Sequence, residues 1–153
     1  MYNAVLTTHS WLRWVVLLLG VLAIGRALAG ARAKRPWSGA DDRAGRLFVI
    51  ALDVQFLLGL LLYFALSPIT RAAMQAFGEA MRVSATRYWA VEHLFGMVVG
   101  LAFAHAGQAR VRKTADAVAK HRVAAVFFIL ALLAIAVSIP WPGTPNARPL
   151  LRW

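Results

Sequence analysis

The chain has 153 residues, no cysteine and a formal net charge of +11. Hydrophobic residues make up 61% of it and charged residues 15%, an apolar share well above that of soluble domains. This composition excludes disulfides, thiolate metal sites and covalent c-type haem attachment, and it indicates an integral membrane protein.

Four apolar runs follow one another along the chain. They cover about 4–27, 47–66, 89–106 and 123–139. Each is close to the ~20 residues that a helix needs to cross a bilayer. We therefore predict one all-α domain over 1–153, an integral membrane four-helix bundle.

The basic residues are unevenly divided among the segments that connect these spans. Eleven lie around the two connections that follow spans one and three, against five between spans two and three or after span four. The positive-inside rule then places both termini outside the cytoplasm. The charge thus sets orientation in the lipid bilayer, and we predict no nucleic-acid partner, although a basic patch is the usual sign of one.

Two segments outside the spans have their own patterns. Residues 70–83 gather their polar side chains on one side of a helix, which predicts a short amphipathic interfacial helix between spans two and three. That helix is either a simple re-entry linker or a lid over something in the bundle. The prolines at 140, 142 and 145 exclude a helix and predict an extended tail over 140–153 on the outer face.

The candidate metal-ligating residues are His9 in span one and His93 in span three. Both spans run inward, and each histidine lies roughly 6–8 Å below its outer end at 1.5 Å per residue. Two imidazoles at one level can clamp a haem between helices, as axial ligands of its iron. For either histidine alone, the simpler interpretation is an interfacial side chain bonded to water or to carbonyls.

Three glycines share a helix face with these histidines. Gly96 and Gly100 lie within about 60° of His93 around the third span, and Gly20 lies on the face of His9. Bare backbone at these positions would open a slot for a porphyrin. The alternative is close helix packing through a row of small residues.

Arg13 lies one helical turn below His9, where a charged side chain needs a partner. Its long side chain can extend outward and pair with a haem propionate or with Glu92, which precedes His93. The set of His9, Glu92 and His93 would also suit zinc or copper.

Further polar residues occur within the spans. A set in the inner half could form a polar cluster or a second ligand pair, and consists of Arg26, Asp53, His105 and His121. We expect His105 itself to be solvated near the cytoplasmic edge. Another edge, on span two, could meet the cofactor or a quinone, or make interhelical hydrogen bonds. It consists of Gln55, Gly59 and Tyr63.

Several short motifs resemble a known group of proteins. They are H-S-W-L-R-W (9–14), L-D-V-Q-F-L-L-G-L-L-L-Y-F (52–64), V-E-H-L-F-G-M (91–97), A-K-H-R-V-A (119–124) and S-I-P-W (138–141). Together they are similar to small bacterial four-span membrane proteins labelled cytochrome b-like, and loosely similar to cytochrome b561-type proteins. The resemblance implies a b-type haem and the bacterial inner membrane. Relatives often have histidine at the position of Asp53, which implies that this position is not a ligand or that one site has been lost.

We therefore expect a b-type cytochrome-like protein that holds one haem b between spans one and three, near the outer face, for one-electron transfer. Any enzymatic role would be that of an electron-transfer component, with quinol or a periplasmic redox protein as partner. The protein could also form an oligomer or belong to a complex. Two alternatives remain. One is a non-redox accessory or scaffold subunit of a membrane complex, and the other is a quinone, zinc or copper site at His9, Glu92 and His93.

Overall fold

Seven α-helices make up the protein in a computed structural model that describes residues 1–152. In chain order they are α1 (Tyr2–Arg32), α2 (Gly39–Leu61), α3 (Pro68–Gln75), α4 (Phe77–Arg82), α5 (Ser84–Arg87), α6 (His93–Lys113) and α7 (Ala117–Val137). A π-helical turn at Leu62–Leu66 extends α2, and another at Tyr88–Glu92 joins α5 to α6.

Four stretches of helix are long and apolar enough to cross a membrane, as predicted. They are Tyr2–Arg32, Gly39–Leu66, Ser84–Lys113 and Ala117–Val137. Each extends beyond its predicted apolar run at one end or both. The reason is that the helical hydrogen bonds continue into the charged flanks, where apolar composition no longer marks them.

Local signals explain where several helices begin. Ser38 and Asp41 form a capping box at the start of α2, in which each side chain accepts a hydrogen bond from the backbone of the other. The side chain of Ser67 caps α3, and that of Asp116 caps α7. These caps satisfy N–H groups that have no partner inside the helix.

The single helix predicted over 70–83 is instead two short helices, α3 and α4. The chain breaks at Ala76, whose φ of −124° and ψ of 52° are not helical. Ala73 and Ala80 are buried together with Ala90 of the second π-helical turn. The segment therefore folds back onto the start of the third span.

Helix α7 packs against both α1 and α6, and α1 packs along α2, whereas α2 and α6 touch over a shorter length. The core centres on Phe48 of α2 and Phe128 of α7. These two rings are buried and meet edge to face with centroids 5.5 Å apart. We call the end of the bundle where α1 begins and α7 ends the terminal end, and the opposite end the loop end.

Asp41 anchors the loop end. Its carboxylate accepts hydrogen bonds from Arg26 Nε at 3.0 Å, from Arg35 Nη1 at 2.7 Å and from Ser38 Oγ at 2.6 Å. Hydrogen bonding to this carboxylate raises the pKa of Arg35 above its ordinary value. The network ties the end of α1 to the start of α2.

The polar residues of the inner half do not form one cluster. Asp53 pairs with His105 across α2 and α6 at 2.7 Å, so His105 is not simply solvated as expected. His121 is fully buried, and its ring packs against that of Trp37 with centroids 4.8 Å apart. Arg26, the fourth residue of the set, bonds to Asp41. The set is thus divided among three separate contacts, and its two histidines do not form a second ligand pair.

Candidate functional site

A cavity of about 260 Å³ lies at the terminal end of the bundle. Its walls come from α1, α2, α6 and α7, and residues of α3 and of the tail after α7 also line it. Leu52, Phe56, Met97 and Ile135 are among its apolar side chains. The volume is slightly below the roughly 300–1,000 Å³ of sites that bind small molecules.

His93 lines this cavity, and one of its ring nitrogens has no hydrogen-bond partner among residues 1–152. Its Nδ1 lies 2.7 Å from the backbone carbonyl oxygen of Ser138, which can only accept, so Nδ1 carries the proton and donates it. Nε2 is left with its lone pair, and it has no hydrogen-bond partner within residues 1–152. Metal-bound histidines are commonly oriented by such a bond from the other nitrogen.

The π-helical turn that precedes α6 contributes to this placement. The backbone N–H of His93 bonds to the carbonyl of Tyr88, five residues earlier, and the hydroxyl of Tyr88 donates to the same Ser138 carbonyl at 2.8 Å. Tyr88 and His93 therefore share one acceptor at the end of α7. Single π-helical turns are frequent at functional sites because they shift side chains around the helix.

His9 lines the same cavity, so the structure brings the two predicted histidines together. Its Nε2 accepts a hydrogen bond from the Gln55 amide at 3.2 Å, and its Nδ1 is buried without a partner in the described chain. Gly59 admits the ring, since a Cβ there would lie 3.2 Å from His9 Cε1. Unlike His93, His9 offers no free lone pair, because Nε2 accepts from Gln55 and the unpartnered Nδ1 therefore carries the proton.

The tail is hydrogen-bonded to α1, and several of its residues line the cavity. Arg13 Nη2 donates to the carbonyl of Leu150 at 2.6 Å, and Trp14 Nε1 donates to the same oxygen at 3.1 Å. Trp11 Nε1 donates to the carbonyl of Arg152 at 2.8 Å. Arg13, Arg148 and Arg152 all line the cavity.

The prediction of an extended tail is wrong. It turns between residues 141 and 147, and the N–H of Arg148 returns to the carbonyl of Pro140 at 3.2 Å. Gly143, with φ of 88°, supplies the left-handed conformation that such a turn requires. The prolines end α7 but leave the chain free to fold back. Trp153, the last residue of the predicted tail, lies outside the described residues.

Glu92 does not belong to the cavity, and the predicted Arg13–Glu92 pair is wrong. Its carboxylate pairs with Arg87 at 2.6 Å and is 47% exposed. Within residues 1–152 no three potential ligands come close enough to hold a metal ion by themselves. The zinc or copper site predicted from His9, Glu92 and His93 is therefore not assembled.

The three predicted glycines lie at helix contacts, which was the alternative interpretation. A Cβ on Gly96 would clash with the Ser138 side chain, and one on Gly100 would lie 2.8 Å from Ile135 Cγ1. A Cβ on Gly20 would lie 2.9 Å from Leu132 Cδ1. The prediction of a porphyrin slot along these glycines is wrong, because neighbouring side chains occupy the space beside them.

The sequence analysis identified some of the other cavity residues and missed the rest. The polar edge of span two does line it, and Tyr63 donates from its hydroxyl to the carbonyl of Ala90 at 2.6 Å. Thr70 donates in turn to the carbonyl of Tyr63 at 2.8 Å. No sequence signal could have identified the Ser138 carbonyl, since every residue has one. The tail arginines were interpreted only as orientation charges.

No family model matches the chain, and no curated protein or solved structure matches it significantly.

Proposed function

We propose that this chain is a b-type cytochrome-like membrane protein that binds one haem b in the cavity at the terminal end, for one-electron transfer. The observation that carries the proposal is the free, oriented Nε2 of His93, in a cavity that also contains a second imidazole and three arginines. A neutral imidazole is a common axial ligand of haem iron.

The residues of the cavity divide into ligands and walls. His93 Nε2 would bind the haem iron, and His9 Nε2 would bind it only after releasing its hydrogen bond from the Gln55 amide. Apolar side chains of α2, α6 and α7 would lie against the haem macrocycle. The cavity of about 260 Å³ is small for such a ligand and would have to widen to admit it. Bound haem supplies one-electron redox chemistry, and two histidine ligands leave no open position for oxygen.

The charge distribution supports an orientation in the bacterial inner membrane. By the positive-inside rule, the excess of Lys and Arg around the loop end supports a cytoplasmic position for that end, with both termini and the cavity outside. The segment with α3 and α4 then lies in the outer interface. The candidate partners in electron transfer are membrane quinol or a periplasmic redox protein.

The test is a visible spectrum of the purified protein, as isolated and after addition of haemin. We expect a b-type reduced-minus-oxidised spectrum that His93→Ala abolishes and His9→Ala alters. The control is the double replacement of Asp53 and His105 by leucine, because both residues lie outside the cavity and their joint removal leaves no unpaired carboxyl group, and it should keep the spectrum. A folded protein that gives no b-type reduced-minus-oxidised spectrum with added haemin would refute the proposal.

A second candidate, a non-redox accessory or scaffold subunit, is favoured by the bond between Gln55 and His9. This bond satisfies the His9 Nε2 without any cofactor. The close packing of Gly96 and Gly100 against α7 also stabilises the bundle without a ligand. For such a subunit, replacing both His9 and His93 by alanine should change neither the colour of the protein nor its behaviour as part of a larger complex.

A further inference from the structure

The cavity gathers positive charge that no carboxylate side chain among residues 1–152 balances. Arg13, Arg148 and Arg152 line it, and no Asp or Glu side chain of residues 1–152 does so. The ion pairs of the described chain use other arginines, namely Arg26, Arg35, Arg46 and Arg87. The three cavity arginines are thus left without a carboxylate from the part of the chain that the structure describes.

The environment of these arginines makes the imbalance costly. Like charges around an apolar-walled space repel one another more strongly than in bulk water, because the local dielectric constant is lower. Arg13 Nη2 donates a hydrogen bond to the Leu150 carbonyl, but Arg13 Nε is buried and has no hydrogen-bond partner among residues 1–152. The Arg148 guanidinium lies over the Trp89 ring, 5.1 Å from its centroid. Stacking holds this group in place without neutralising it.

We infer that the cavity binds an amphiphile with carboxylate groups on an apolar body. Arg148 and Arg152 bind its carboxylates, and the apolar walls take its body. A guanidinium suits this task, since it can give a carboxylate two parallel hydrogen bonds. The inference rests on the proposed function for its preferred ligand, because haem carries two propionates. The requirement for arginine does not depend on iron, and a membrane fatty acid has the same chemistry.

The test uses metal-free protoporphyrin IX, which has the carboxylates but no iron for a histidine to bind. Its affinity for the detergent-solubilised protein is measured by porphyrin fluorescence anisotropy, beside that of its dimethyl ester. We expect the diacid to bind roughly tenfold more weakly to Arg148→Gln or Arg152→Gln, as for one lost charge-assisted hydrogen bond. The dimethyl ester, which has lost both charges, should bind to the unmodified protein more than about tenfold more weakly than the diacid does. The control Arg82→Gln removes an exposed arginine outside the cavity, and it should bind like the unmodified protein.

Equal binding of diacid and ester, or equal weakening by Arg82→Gln, would overturn the inference. A competition experiment, in which oleate or the uncharged oleyl alcohol is added to the porphyrin complex, tests whether a fatty acid is also a ligand. Displacement by oleate alone supports the carboxylate requirement and adds a membrane lipid as ligand, whereas displacement by both at equal concentration contradicts it. The result is separable from that for haem. Arginine-dependent diacid binding without any His93-dependent haem spectrum would leave this inference standing and refute the proposed function.

Discussion

The Gln55 side-chain amide donates to two atoms of His9. Its Nε2 lies 3.2 Å from the Nε2 of His9 and 3.0 Å from the His9 carbonyl oxygen. The contact joins α1 to α2 at the wall of the cavity. It also makes His9 Nε2 an acceptor, so that the nitrogen a metal would use is covered by an amide.

Replacing Gln55 by leucine should therefore strengthen haem binding. In the proposed complex the Gln55–His9 bond must break before His9 can bind the iron, and a hydrogen bond of this kind contributes about 1 kcal/mol. We expect roughly fivefold higher haem affinity in Gln55→Leu, from spectrophotometric titration with haemin. Gln108→Leu is the control, as this buried glutamine lies outside the cavity. An unchanged affinity would show that His9 is not a ligand.

Gly30→Ala should destabilise the fold far more than Gly25→Ala. A Cβ on Gly30 would clash with the buried ring of His121, whereas a Cβ on Gly25 has no neighbour within 4 Å. Overpacking of this kind costs about 1–3 kcal/mol, while alanine is the better helix former by about 1 kcal/mol. Thermal unfolding in detergent, followed by circular dichroism, should give a lower Tm for Gly30→Ala alone. Similar Tm values for both variants would mean that α1 and α7 adjust freely at this contact.

Asp41→Ala should cost much more stability than Asp42→Ala, although the two residues are adjacent. The Asp41 side chain is 1% exposed and bonds to Arg26 and Arg35, whereas that of Asp42 is 32% exposed and pairs with Arg46 one turn away. We expect a loss of about 2 kcal/mol for Asp41 and no more than about 0.5 kcal/mol for Asp42. Denaturant unfolding of the two variants measures the difference. Equal losses would contradict the anchoring role of Asp41.

Asp53 and His105 should show strong coupling in a double-mutant cycle. The pair lies within spanning helices, with the side chains 39% and 53% exposed on the outer surface of the bundle, where lipid replaces water. His105→Leu alone should destabilise by about 1–3 kcal/mol, because it leaves an unpaired carboxyl group in apolar surroundings. Asp53→Leu with His105→Leu should be at least as stable as the original. Additive losses in detergent or bicelle unfolding would argue against the pair as a unit.

Much of the fold was predictable because its signals are local. Apolar run length identifies four spans, and Ser38 with Asp41 forms a cap from residues three positions apart. The errors concern places where local rules compete. The amphipathic pattern over 70–83 predicted one helix, but burial of Ala73 and Ala80 against Ala90 is achieved only with a break at Ala76.

The candidate site was predictable only where helical periodicity is sufficient. Counting residues along two spans placed His9 and His93 at one cavity, and periodicity grouped Gln55 with Gly59. It left open what each glycine faces, because a bare face suits a neighbouring helix as well as a ligand. Glu92 was misplaced because the π-helical turn at Tyr88–Glu92 changes the rotation that a regular α-helix would give.

By itself, then, the sequence determined the number of spans, the segments that connect them and the charge asymmetry between the two ends, since these depend on composition over one or two dozen consecutive residues. Only the tertiary structure decided that Ser138 orients His93, that Gln55 covers His9 and that the tail arginines reach the cavity. These contacts join residues some 45 or more positions apart. Their partners include main-chain carbonyls that are the same in every residue, and only the packing of α1, α2, α6 and α7 brings such groups within hydrogen-bond distance.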